Sequence, residues 1–204
     1  MENKIPGGRA IQSRTLMLAQ TAVLGGIMLV LNFSGLGLIK VGVWSLTILN
    51  VPVIIGAMTV GKWATTALGG LFGILILADA QVFLAISFPL TIFFLVGLRG
   101  LLYGFLCALI FEGFKKIDKT KIWSYGATGL CSAILNTTLF IVGVIVIFGS
   151  SPAILEMFGQ VNRFGLFIPL ILMVGVQAII EIVVCAAIAM AVAKPVSAYL
   201  NKRA

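Results

Sequence analysis

The sequence predicts an all-α integral membrane protein with six transmembrane helices and cytoplasmic N and C termini. Three observations carry this expectation. Hydrophobic residues make up 61% of the 204 and charged residues only 10%, whereas a soluble surface needs roughly 25% charged residues. Apolar stretches approach the roughly 20 residues that a spanning helix requires, and they follow one another with short breaks. Basic residues gather at the ends of these stretches that the positive-inside rule assigns to the cytoplasm.

The first helix is placed over 14–33, behind a mostly polar N-terminal segment. Its apolar run is too long for a signal peptide and ends in no small-residue cleavage site, so it is expected to remain as a span. A glycine-rich break over 34–40 leads to the second helix at 44–60, and Gly61-Lys62 turns the chain into the third at 62–79. Segment 80–95, interrupted by Ser87-Phe88-Pro89, is expected to be an outer loop with a partial helix. Dividing 80–114 into two antiparallel spans would need more polar chain than Gly97-Leu98-Arg99-Gly100 offers. The fourth helix is placed at 96–114 and ends in the basic run 115–121. The fifth, 122–148, stops at Gly149-Ser150-Ser151-Pro152, and the sixth covers 164–193. Residues 1–204 form a single transmembrane domain on this reading.

Orientation follows from charge. Lys4, Arg9, Arg14, Lys62, Lys115, Lys116, Lys119, Lys121, Lys194, Lys202 and Arg203 fall inside, leaving only Lys40, Arg99 and Arg163 outside. An even number of crossings then separates Lys62 from Lys115, which six spans satisfy.

Composition also excludes chemistry. Histidine is absent, which removes His-based triads, His metal sites and imidazole bases. Cys107, Cys131 and Cys185 sit singly in apolar stretches without metal-ligand spacing, as small packing residues do. Gly61-Lys62 is followed by Trp63, so no phosphate-cradling loop exists there. The six acidic residues are too dispersed for a metal or catalytic cluster. The net charge of +8 lies beside apolar segments rather than among exposed aromatics, a pattern of membrane topology and not of nucleic-acid binding.

Polar groups inside spans carry the remaining information, because an unpaired one in hydrocarbon costs several kcal/mol. Asn136-Thr137-Thr138 lie about fourteen residues, or roughly 21 Å, from the inner end of the fifth helix. Gln177 and Glu181, spaced i and i+4, share one face of the sixth, roughly 24 and 18 Å above its inner end. The common depth suggests a polar site between these helices for hydroxyl, amide or amine groups; interhelical hydrogen bonding is the other use of such residues. Arg99, Lys40 and Arg163 either attract an anionic solute or snorkel at the interface. Asn50, Asp79 and Gln81 lie near segment ends, and Trp44 reads as an interface anchor. On the first helix Ala19, Ala22, Gly25 and Gly26 form a small-residue surface, including Ala22-x-x-x-Gly26, suited to close approach by another helix. The third helix carries a similar run, Ala67, Gly69, Gly70 and Gly73.

Taken together, these features resemble the substrate-binding S component of energy-coupling factor (ECF) transporters. The carriers of the resemblance are the helix-one surface 18–26, the run Asn50-Val51-Pro52-Val53-Ile54-Ile55-Gly56-Ala57, the glycines Gly61, Gly69, Gly70 and Gly73, Arg99, Asn136-Thr137-Thr138 and Glu181. The resemblance implies a six-helix subunit in the plasma membrane of a bacterium that captures a vitamin or its precursor from outside. Its partners would be a membrane coupling subunit and two ABC-type ATPases, with ATP used by those ATPases and no cofactor or metal in this chain. Helix one, through Ala19, Ala22, Gly25 and Gly26, would meet the coupling subunit. The Val-Pro-Val-Ile-Ile-Gly run and the acidic sixth helix resemble the pantothenate branch most. Substrate contacts would then fall to Asn136, Gln177, Glu181, Arg99, Asn50 and Thr137. An S component for folate, riboflavin or hydroxymethylpyrimidine, a membrane assembly protein and a membrane enzyme are the other readings.

Overall fold

The computed structural model describes residues 6–41, 44–79, 89–118, 123–148, 152–157, 159 and 162–201. Its elements are α1 (Pro6–Phe33), a hairpin of β1 (Leu38–Val41) and β2 (Trp44–Thr47), α2 (Asn50–Thr59), α3 (Lys62–Asp79), α4 (Pro89–Ile117), α5 (Trp123–Phe148) and α6 (Phe167–Asn201). A short helical segment, Pro152–Met157, and a 3-10 turn, Arg163–Leu166, lie between α5 and α6. Among the described residues, four helices contain segments long and apolar enough to cross a membrane: Arg14–Phe33, Val96–Ile117, Trp123–Val146 and Val174–Ala191. The apolar helices α2 and α3 are shorter.

Exposed positions are occupied by large apolar side chains such as Leu18, Val30, Ile168, Leu172, Ile179 and Val183. Water would penalise these side chains and hydrocarbon does not. The chain is a multi-pass membrane protein.

Several expected boundaries move: α1 begins at Pro6 rather than at 14, and α6 runs from Phe167 to Asn201 rather than over 164–193. The second helix begins at Asn50, and Trp44–Thr47 pair instead with Leu38–Val41 in an antiparallel ladder. Pro52 explains the shift: in a helix over 44–60 its ring would meet the carbonyl of residue 48 from an interior position, whereas in the first turn its missing N–H costs nothing. The fourth helix begins at Pro89 rather than at residue 96. The proline, read from sequence as an interruption, occupies the first turn, where its fixed φ favours helix initiation. Residues 80–88 of the expected outer loop lie outside the described residues.

Glycine makes the turns. Gly35, at φ 75°, ends α1 and donates to the Asn32 carbonyl at 3.1 Å, while Gly61, at φ 106°, joins α2 to α3. Both occupy the left-handed region that disfavours a Cβ.

Helix α2 is the shared partition of the interior. Val53 and Ala57 pack into a cluster with Leu24 and Met28 of α1, Leu68 and Phe72 of α3, and Tyr103 and Cys107 of α4. Ile54 and Met58, one position on, enter a second cluster with Phe111 of α4, Ala133 of α5, and Cys185 and Ala189 of α6. At ten residues, α2 is only about 15 Å long.

Helices α3 and α4 meet backbone to backbone. A Cβ on Gly73 would stand 2.7 Å from the Val96 carbonyl oxygen, and one on Gly100 would stand 2.8 Å from the Gly73 Cα. Gly69 and Gly104 face each other in the same seam. The run Gly69-x-x-x-Gly73 therefore opposes Gly100-x-x-x-Gly104, the close approach that small residues permit. This seam fixes the rotation of α4 and with it the direction of Arg99.

Candidate functional site

With one face of α4 closed against α3, a second face turns polar groups toward α5 and α6. Arg99 and Tyr103 follow at i and i+4 on α4, Ser132 and Asn136 on α5, and Gln177 and Glu181 on α6, so each helix presents its polar pair on one face. Asn50 joins them from the start of α2. Arg99 is 8% exposed, Asn136 7%, Glu181 2%, and Asn50, Tyr103 and Ser132 0%.

Hydrogen bonds link the helices. Arg99 Nη2 donates to Asn136 Oδ1 at 3.2 Å, and its guanidinium carbon stands 5.4 Å from the centre of the Phe140 ring. Phe140 is again four residues beyond Asn136, so cation–π and hydrogen-bond support reach Arg99 from one face of α5. Glu181 Oε1 accepts from the Thr47 backbone N–H at 3.0 Å and from Gln177 Nε2 at 3.4 Å, and Oε2 accepts from Asn50 Nδ2 at 3.4 Å. Asn136 is also within side-chain hydrogen-bonding reach of Glu181. A buried cation and a buried carboxylate are thus joined through an amide.

The network is incomplete. Among the described residues, Asn50 Oδ1 and Arg99 Nε are buried with no hydrogen-bond partner, and for Tyr103 Oη and Ser132 Oγ only the weakly bonding Cys107 thiol stands in reach. An atom of this kind costs about 1–3 kcal/mol if it stays unpaired, so Asn50 Oδ1 and Arg99 Nε are the positions where an outside partner would gain most. Arg99 Nε can only donate and Asn50 Oδ1 can only accept, while the two hydroxyls can do either. A molecule completing the set would carry an acceptor, best an anionic one, against Arg99 and a hydroxyl or N–H donor against Asn50.

Of the residues singled out from sequence, the structure brings Arg99, Asn136, Gln177, Glu181 and Asn50 into this cluster. Thr137 lies about 100° around α5 from Asn136; it is half-buried, and among the described contacts no side-chain hydrogen bond ties it to the cluster. Lys40, Trp44, Asp79 and Arg163 are described in backbone alone, and Gln81 lies outside the described residues. Sequence reasoning missed Tyr103, Ser132 and the Thr47 N–H. The first two sit four residues from Arg99 and Asn136, so extending the i, i+4 rule from those polar residues would have found them. A backbone donor leaves no mark in the sequence.

The small surface of α1 divides. Ala19 and Ala22 are exposed, and a Cβ on Gly26 would meet nothing within 4 Å. Gly25 faces inward instead, where a Cβ would stand 3.4 Å from a methyl of Leu71. It supports packing of α1 on α3 and is not part of the outward surface. Among the described residues no group of three or more acidic or cysteine side chains is placed to hold a metal.

Compared with known proteins, the chain matches the family model for the ECF transporter substrate-specific component over residues 16–193. No curated protein matches it.

Proposed function

The chain belongs to the family of ECF transporter substrate-specific components, and from that premise we propose that it captures pantothenate, or a close relative, at the Arg99–Asn136–Asn50 cluster for uptake driven by partner ATPases. Members of this family are transporter subunits, associated with ECF module subunits and a small-molecule substrate; they are not enzymes. The reading adds a bacterial plasma membrane, six crossings with both termini inside, and capture from outside. ATP hydrolysis belongs to two ABC-type subunits reached through a membrane coupling subunit, which docks on Ala19, Ala22 and Gly26 of α1.

The observation that carries the reading is that Asn50 Oδ1 and Arg99 Nε, an acceptor and a donor beside the same network, are buried with no partner among the described residues. Pantothenate is a small carboxylate with hydroxyls and an amide. Its carboxylate supplies the acceptor that Arg99 Nε lacks, its hydroxyls supply donors for Asn50 Oδ1, and further polar atoms reach Tyr103 and Ser132. Charge-assisted hydrogen bonds to a buried guanidinium are among the strongest a site can offer.

The test is native mass spectrometry of the detergent-purified protein to identify any co-purifying molecule, followed by calorimetry with pantothenate, folate, riboflavin and hydroxymethylpyrimidine. Saturable pantothenate binding that is lost in Arg99→Met is the expected result. Binding of another vitamin in place of pantothenate would reassign the substrate.

A further inference from the structure

The hairpin and α6 meet at a single carboxylate. Thr47 ends β2 and Asn50 begins α2, so two of the donors to Glu181 come from either side of one two-residue turn. Gln177, on the same helix as Glu181, provides the third. A carboxylate offers about four acceptor positions and no donor. Three of those positions are filled by the chain itself, and Asn136 stands in reach of the carboxylate as well. Little acceptor capacity is left for a solute. The carboxylate also dictates how Asn50 sits: its Nδ2 must face Glu181, which turns Oδ1 away, buried and unpaired.

We propose that Glu181 is a positioning residue and not a solute contact: it clamps the junction of the hairpin and α2 onto α6, and thereby holds Asn50 Oδ1 in place as the acceptor. The consequence for binding rests on the reading of this cluster as a solute site. The clamp itself is testable without any solute.

The experiment is hydrogen–deuterium exchange with residue-level fragmentation on the full chain in lipid nanodiscs, free of vitamin. In the wild type the Thr47 amide should exchange at least about tenfold more slowly than an unprotected amide. Glu181→Ala should remove that protection and leave the amides of α3 and α4 unchanged. Glu181→Gln should restore it, because the amide oxygen still accepts from Thr47. A fast Thr47 amide in the wild type overturns the clamp, as does a Glu181→Ala variant that accelerates exchange equally along α3 and α4. Should Glu181→Ala fail to fold, the other two proteins decide: the clamp requires a slow Thr47 amide in both, and a fast one in either overturns it. The two proposals fail separately. A failed vitamin panel with a protected Thr47 amide removes the assigned solute and keeps the clamp; a fast amide in a vitamin-binding protein does the reverse.

Discussion

The two faces of α4 follow opposite rules. Toward α3, Gly100 and Gly104 admit the neighbouring backbone so closely that no side chain fits, and the seam consists of main chain against main chain. Beyond that seam, Arg99 reaches Asn136 of α5, and Tyr103, whose ring lies 5.4 Å from that of Phe72 of α3, buries its hydroxyl in the interior. The first face is saturated and sets where the helix lies. The second leaves Asn50 Oδ1 and Arg99 Nε without partners among the described residues. The difference teaches that one helix can fix its place through main chain on one side and carry its buried polar side chains on another.

The contrast can be broken from either side. The largest effect is expected from Gly100→Val, since even a Cβ there would stand 2.8 Å from the Gly73 Cα; overpacking against backbone should cost about 3 kcal/mol or more. Thermal unfolding should show a large drop in Tm and a poor folded yield. Next, Arg99→Met should weaken pantothenate binding at least about 100-fold, within the 2–5 kcal/mol typical of a buried charged contact, with Tm changed far less than by Gly100→Val. Calorimetry and thermal unfolding on the same preparation separate the two. Asn136→Leu should be milder, about tenfold in affinity, because the guanidinium that receives the solute stays and only the amide that steadies it is lost, a hydrogen bond to a charged group of about 1.5–3 kcal/mol. The smallest effect on the isolated subunit is expected from Ala22→Leu or Gly26→Leu, whose positions are open: affinity should stay within about twofold. Uptake by cells carrying the complete transporter should nevertheless be abolished, because the leucine blocks a partner helix. Equal loss of binding and uptake would remove α1 from the docking surface.

How far the sequence could be read follows the same division. The apolar runs of α3 and α5 end at turn residues and charges, and their helices stand within a residue or two of the expected limits. Arg99, Asn136 and Glu181 could be singled out because polar groups in apolar runs are conspicuous, and depth arithmetic at 1.5 Å per residue set Asn136 and Glu181 at one level. The hairpin was hidden: Trp44–Thr47 is as apolar as a helix turn, and only its pairing with Leu38–Val41 reveals a strand. The start of α4 was hidden as well, because proline ends some helices and begins others. Small residues gave no direction. Gly25 and Gly26 are adjacent, yet one packs on Leu71 and the other opens outward.

The glycine seam also bears on how such a protein can change over generations. A clash between two side chains can be relieved by shrinking the second, but at Gly69, Gly73 and Gly100 the obstacle is main chain, and no second substitution can make main chain smaller. Neither helix can drift there alone, nor can the two drift together. Across α4, contacts run side chain to side chain and can be exchanged in compensating pairs. Descendants of this fold are therefore free to exchange side chains on one side of a helix whose other side is closed to revision.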